Sequence, residues 1–313
     1  EYTTNNVARV SVAVADWLFE HYSKPSVIIG HDCRFGGKLF LETAAKVLAL
    51  KGISVKLAKG FVSTPMVSLA VLKEEVNLGI VITASHNPPE YNGYKLKADF
   101  GGPLLPHDVE EIESKIPLNH SIDYSSINIK ELIVENKLCY VDIEESYCKH
   151  VISNFDLDLI NNSNLKLAYD AMFGAGMNVV SRLLPGTSLL HCSPNPGFLG
   201  VAPEPIDRNL HQLSNLMNSQ DLDCGLATDG DADRIGLYDS LGNFVDSHHI
   251  ILLLIHYLVK YKGMKGKVVT AFSCSVKIKK LCDYYNLEQE TVKIGFKHIA
   301  GKMIKEDVLL GGE

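Results

Sequence analysis

The chain has 313 residues, 46% of them hydrophobic and 21% charged, which is the profile of a folded protein with room for two or three domains. Its net charge of -7 is spread without a basic block, which argues against nucleic acid as a partner. Seven scattered cysteines, odd in number and never spaced as CxxC, argue against a disulfide framework and a thiolate zinc cluster, and suit a reducing compartment. The longest apolar run, Ile250 to Ile255, is far short of a membrane span, and the start lacks a signal-peptide layout. A cytoplasmic protein with no membrane partner is expected.

In chain order, the opening EYTTNNVARVSVAVADWL reads as a helix capped at Thr4 or Asn5. A strand from Ser26, a helix closed by Gly52, the strand ISVKLA, a helix from Thr64 and the strand LGIVI (Leu78 to Ile82) follow. This βαβαβ order is that of a parallel, doubly wound sheet. The polar stretch from Gly101 to Ser126 closes this part, and a linker is expected near Ile127 to Tyr140. A second such unit runs from Leu165 through Asp170, a helix at VVSRLL, Thr187 to His191, a helix around LHQLSNLMN, and Cys224 to Thr228. A third begins with the helix from His248 and passes through KVVTAF, SVKIKKLCDYYN, ETVKI, a helix from Lys297 and VLLGG.

The third strand of each unit is followed by polar groups: Ser85 with His86, Asp229 with Asp231, and Glu313. In open α/β sheets ligands bind at the carboxyl ends of strands, so three loops converging on one cleft are expected. The first loop, TASHNPPEYNGYK from Thr83 to Lys95, is stiffened by Pro88 and Pro89, which cannot continue a ladder. It presents a serine just past a buried strand.

The second loop, TDGDADRIG, places Asp229, Asp231 and Asp233 within five positions. Carboxylates that close repel one another unless a cation sits among them, and an oxygen-only donor set suits a hard ion such as Mg²⁺. A calcium loop counted from Asp229 would need Gly sixth and Glu twelfth, where this chain has Arg234 and Ser240. GAG at Gly174 to Gly176 lacks the third glycine of a dinucleotide turn, since Val179 holds its place. No GxxxxGK[ST] or HExxH occurs.

Together the two loops resemble those of the α-D-phosphohexomutases, the phosphoglucomutase and phosphomannomutase group, as do GHDCRFGG near the start and VKIGFKHIAGKM near the end. The resemblance implies tandem α/β units with mixed, largely parallel sheets, in three similar domains: 1–135 with the phosphoserine loop, 136–245 with the metal loop, and 246–313 with a sugar loop cut at its start. It implies a Mg²⁺-dependent interconversion of hexose 1-phosphate and hexose 6-phosphate, glucose or mannose, with a phosphoserine at Ser85 and a glucose 1,6-bisphosphate-type activator. Ser85, Asp229, Asp231 and Asp233 would hold the one Mg²⁺. Lys95 and Arg234 would supply positive charge, with His86 and Lys95 as candidates for proton transfer, and the family pattern favours Lys95. Asn87, Lys297 and Glu313 are expected at the substrate, while Asp32 and Arg34 read as supports of the cleft.

Glucosamine-phosphate members place Asp-Asn-Gly-Ile-Lys after the serine, where this chain has EYNGYK (Glu90 to Lys95), so hexose phosphates are the expected substrates. Both ends read as cut, with the third domain incomplete and a fourth absent. On that expectation the chain alone is a poor mutase, a monomer or homodimer. The alternative is a non-catalytic metal- and phosphosugar-binding paralogue or fragment.

Overall fold

The computed structural model describes residues 1–313, which divide into two compact units, 1–243 and 244–313. The first unit opens with helix α1 (Thr4–His21), which buries Val7, Val14, Trp17 and Leu18 on one face. Its cap is Thr3, one residue before the expected start, whose hydroxyl accepts from the Asn6 N–H at 3.2 Å. Then come β1 (Ser26–His31), α2 (Gly37–Leu50), β2 (Ser54–Ala58), α3 (Thr64–Lys73) and β3 (Leu78–Ile82). All five residues of β3 are buried, as a continuous apolar run between two helical layers should be.

After the serine loop the chain returns as β4 (Tyr94–Lys97), antiparallel to β3, with Lys95 opposite Val81. Helices α4 (Pro106–Ser114) and α5 (Ile129–Val134) lead to β5 (Leu138–Val141). The sheet order is β4-β3-β1-β2-β5, with β5 parallel to β2. The stretch expected as a linker near Ile127 to Tyr140 is therefore structured. Asn128 and Glu131 form a capping box for α5, and β5 finds free ladder positions along β2, so the first sheet runs past residue 135 to Val141.

One face of this sheet packs on α1 and α2 through Val14, Leu18, Ile29, Leu48 and Ile80. The other packs on α3 and continues through Ile143 and Cys148 of α6 (Ile143–Asn154) to Val179 of α8 (Met177–Leu183). That continuous core joins both sheets into one unit, and a short, surface α7 (Leu157–Asn161) lies between α6 and β6 in the chain. The second sheet contains β6 (Leu167–Asp170), β7 (Ser188–Leu190), β8 (Cys224–Thr228) and β9 (Ile235–Tyr238), with α9 (His211–Ser219) before β8. Strands β7, β6 and β8 are parallel; β9 turns back antiparallel on β8 directly after the acidic loop. Each of the two sheets thus contains a strand, a tight polar loop and an antiparallel return.

The second unit begins with β10 (Phe244–Val245) and α10 (Ser247–His256). A parallel three-stranded sheet follows in the order β12-β11-β13, from β11 (Lys267–Ala271), β12 (Gln289–Val292) and β13 (Val308–Gly312). With α10 and α11 (Val276–Tyr284) it encloses a core of Ile251, Ile255, Val268, Ile278, Cys282 and Leu310, while α12 (Phe296–Met303) packs on the other face, where Ile299 lies over Gly311. No helix is long and apolar enough to cross a membrane.

Candidate active site

Within the first unit, the loop after β3 and the loop after β8 meet. Ser85 is 6% exposed and its hydroxyl donates to Asp229 Oδ2 at 2.6 Å. A Cβ on Gly230 would stand 2.5 Å from the Ser85 carbonyl oxygen, so only glycine lets the acidic loop come this close to the serine. Ser85 itself is left-handed, with φ 53°, a conformation that a non-glycine residue keeps only where its surroundings impose it.

The imposing groups are named by their hydrogen bonds. Ser85 N–H donates to Thr83 Oγ1 at 2.9 Å, and Thr83 Oγ1 donates to Asp32 Oδ2 at 2.6 Å. Arg34 reaches the Ser85 carbonyl with Nη2 at 2.7 Å, and also the carbonyls of Asn87, Pro88 and Tyr91 at 3.3, 3.0 and 2.9 Å. Its Nε pairs with Asp32 Oδ2 at 3.0 Å, with both side chains fully buried. The guanidinium lies 5.2 Å from the Phe198 ring centroid, within cation–π range. Asp32 and Arg34 are thus supports of the loop, as expected from the GHDCR turn.

Lys95 reaches the same place because β4 returns beside β3. Its ammonium is 2.6 Å from Asp231 Oδ2 and 3.3 Å from Asp233 Oδ2. Burial would lower the Lys95 pKa, but the charges of Asp231 and Asp233 reverse that and hold it above the ordinary lysine value. Burial likewise works to raise Asp231, yet the Lys95 ammonium and hydrogen bonds from Lys95 and Thr64 hold it below the carboxylate range. Asp229 goes the other way: burial first, then the charges of Asp231 and Asp233, push its carboxyl well above that range. Lys95 thus pairs with Asp231 and Asp233, while no ammonium or guanidinium pairs with Asp229.

The acidic loop fits a hard divalent cation. Carboxylate oxygens of Asp229, Asp231 and Asp233 lie within 4.8 Å of one another, and Asp231 Oδ1 is buried with no hydrogen-bond partner. Unpartnered buried oxygen is costly, and a cation among three carboxylates removes that cost. Asp229 Oδ1, by contrast, accepts the N–H groups of Asp233 and Arg234 at 2.9 and 3.1 Å, which folds the loop onto itself.

Of the other expected residues, His86 sits beside Ser85 with Nδ1 buried and unpartnered, and burial and then the Arg234 charge lower its pKa. The Arg234 side chain is exposed. Asn87 is exposed, and its Nδ2 donates back to the Ala84 carbonyl at 3.0 Å. Glu313 and Lys297 belong to the second unit, where Glu313 Oε2 accepts the Gly295 N–H at 2.8 Å just ahead of α12.

Two residues at the site escaped the sequence reading. Thr64, at the start of α3, donates from Oγ1 to Asp231 Oδ2 at 2.5 Å and from its N–H to the Asp231 carbonyl at 2.9 Å, a pairing across 167 residues. Lys97 shares the face of β4 that carries Lys95, lies opposite Gly79, and is 9% exposed. Strand alternation from Lys95 could have flagged it. Burial, then Lys95, lowers its pKa to about 8. A lysine lowered in the folded state weakens folding fully below about pH 8, and the penalty lifts as pH rises toward the unfolded value near 10.5. Lys97→Met is accordingly expected to stabilise the chain by up to about 3 kcal/mol at pH 7, with the gain shrinking toward pH 10. Thermal melts at both pH values check this; an equal gain at each would mean the ammonium costs nothing.

A mixed-sheet α/β protein that sets a serine loop against an acidic loop is a class with known members. Family models described as phosphoglucomutase/phosphomannomutase, alpha/beta/alpha domains I, II and III, match residues 1–121, 145–242 and 246–313. A Thermus thermophilus structure described as a candidate phosphomannomutase superposes with a TM-score of 0.89 at 31% identity, over all of this chain and 70% of that one. The phosphoglucomutase of Staphylococcus haemolyticus is 31% identical over 96% of this chain and 57% of its own length. The phosphoglucosamine mutase of Methanococcus maripaludis is 29% identical over 91% of this chain and 63% of its own. The chain thus spans a little over half the length of the curated relatives it matches, and it belongs to the phosphoglucomutase/phosphomannomutase family of α-D-phosphohexomutases.

Proposed function

We propose that this chain carries the phosphoryl-donor and metal half of a phosphohexomutase site, with Ser85 as the residue that is phosphorylated. The observation that carries this reading is the 2.6 Å contact of the Ser85 hydroxyl with Asp229, inside a triad that has an orphaned buried oxygen. Asp229, Asp231 and Asp233, with a Ser85 oxygen, would hold one Mg²⁺. Bound there, Mg²⁺ supplies charge neutralisation for phosphoryl transfer.

The chain's own residues do the rest. Phosphoryl transfer through a loose transition state depends on positioning and electrostatics, and both are built in. Arg34 fixes the backbone of the serine loop through four carbonyls, so the Ser85 oxygen starts from one defined place. Lys95, held by Asp231 and Asp233, supplies fixed positive charge beside it, and the exposed Arg234 adds another. His86 and Lys95 are the candidates for proton transfer with a sugar hydroxyl, and the family pattern favours Lys95. In the cycle, phospho-Ser85 gives its phosphoryl group to a hexose monophosphate, and the bisphosphate returns the other phosphoryl to Ser85 after reorienting.

Glucose and mannose phosphates are the substrates that EYNGYK favours; relatives named for glucose and for glucosamine phosphates are similar to the chain to nearly the same degree. The test is incubation with glucose 1,6-bisphosphate and Mg²⁺, followed by peptide mass mapping. Phosphate on the peptide holding Ser85, and lost from it on adding glucose 1-phosphate but not glucosamine 1-phosphate, is the expected result. Phosphate on His86 or elsewhere, with Ser85 unmodified, overturns the mechanism.

A further inference from the structure

At the carboxyl end of β6 the first unit carries a histidine–carboxylate pair that the mechanism leaves unused. Asp170, the last residue of β6, is 1% exposed. Its Oδ1 accepts the Met172 N–H at 2.7 Å and faces His191 Nδ1 at 2.8 Å. His191 directly follows β7, and Gln212 on α9 lies beside its ring. The ring therefore ties together the ends of β6 and β7, next to the start of α9.

The turn between Asp170 and α8 is shaped by this pair. Met172, Phe173 and His191 are all left-handed, with φ of 47°, 59° and 48°. Asp170 caps Met172, Phe173 N–H donates to the His191 carbonyl at 3.0 Å, and the Phe173 and His191 rings lie 4.6 Å apart. The far end of the same turn rests on the acidic loop. Ala175 N–H donates to the Gly230 carbonyl at 3.0 Å, and a Cβ on Gly174 would stand 2.5 Å from the Asp229 carbonyl oxygen.

We infer that the Asp170–His191 pair is a positioning device for the acidic loop, holding the turn 171–175 as the backing against which Asp229, Asp231 and Asp233 keep the spacing a cation needs. This rests on the metal reading of that loop. Three neighbouring carboxylates push one another apart, so a loop that keeps them close needs a rigid support behind it. Neither Asp170 nor His191 is among the groups hydrogen-bonded to those carboxylates; the pair acts through Met172 to Ala175.

The pair also gives the support a sign in pH. The hydrogen bond to Asp170 raises the His191 pKa against the opposing effect of burial. Asp170 is the charged group facing the ring, while α9 presents the neutral Gln212 and the turn presents Phe173. A histidine raised in the folded state contributes fully below its ordinary value and loses that contribution as pH rises through the raised one.

His191→Gln and Asp170→Asn in the full chain test the inference with two readouts, Mg²⁺ titration calorimetry at pH 6 and 8.5, and amide hydrogen exchange without metal. The variants are expected to bind Mg²⁺ roughly tenfold more weakly at pH 6, with a smaller gap at pH 8.5. Exchange at Ala175, Asp233 and Arg234 should accelerate while the amides of β6 and β8 keep wild-type protection. Unchanged Mg²⁺ affinity and unchanged exchange at Ala175 would overturn the inference, and so would a general loss of protection across the sheet. If the wild-type chain takes up no Mg²⁺, the metal reading falls. Exchange then decides alone, with faster rates at those three amides upholding the positioning role and equal rates ending it.

Discussion

Ser85→Ala is expected to remove phosphoryl incorporation from glucose 1,6-bisphosphate, with transfer falling by roughly four orders of magnitude or more, because Ser85 carries the hydroxyl that meets Asp229, and the other hydroxyl at the acidic loop, that of Thr64, is buried against Asp231 at the start of α3. The fold should survive. Arg34 grips the carbonyl of residue 85 and Thr83 its N–H, and both contacts are to the backbone. The loss of one hydroxyl leaves Asp229 Oδ2 short of a donor, so a stability change of about 1 kcal/mol is expected. A sharper variant is Ser85→Thr, which keeps the hydroxyl. A β-branched residue is strongly disfavoured at a φ of 53°, so threonine should distort the loop and recover little transfer. Quantitative phosphopeptide mapping of the three proteins checks this. Wild-type incorporation in the threonine variant would show that the left-handed backbone at 85 is not a requirement, and incorporation in the alanine variant would remove Ser85 from the mechanism.

How far the sequence could be read differs by the kind of contact involved. Strand β3 was legible because five apolar residues in a row suit a strand covered on both faces, and all five are buried. The Asp229, Asp231 and Asp233 cluster was legible because charge crowding is visible in one dimension. The returning strands β4 and β9 were not. Each has only four residues: YKLK carries two lysines, and IGLY follows the acidic loop without a break. Their pairing is fixed by the loops that precede them, which is also why Lys95 arrives at the site. The hidden partners are those that depend on folding alone. Nothing in the sequence relates Thr64 to Asp231, or His191 to Asp170, since each pair meets only when the strand ends do. Its place in a turn marks Arg34 as a support, but the four carbonyls it holds lie more than 50 residues away along the chain.

That grip makes Arg34→Met the substitution with the largest expected effect on stability, a loss of about 3–5 kcal/mol. Two costs combine. Asp32 would stay fully buried without its cation, and the buried Ser85 carbonyl would lose its donor, as would the carbonyls of Asn87, Pro88 and Tyr91 nearer solvent. Asp32 already sits above the ordinary carboxylate range because burial outweighs the help of Arg34 and Thr83, so it would take up a proton once the guanidinium is gone. Lysine is a poor substitute, since one ammonium cannot span four oxygens that a planar fork reaches together. Adding Asp32→Asn to Arg34→Met should recover part of the loss by removing the cost of protonating a buried carboxylate, and the two changes should couple in a double-mutant cycle by more than about 1 kcal/mol. The carbonyl term would not be recovered, so phosphorylation of Ser85 should stay low in the double variant even where urea denaturation shows regained stability. A single Arg34→Met loss below about 1 kcal/mol, with Ser85 still phosphorylated at the wild-type rate, would mean that the proline-rich loop holds its own shape and that Arg34 only fills space.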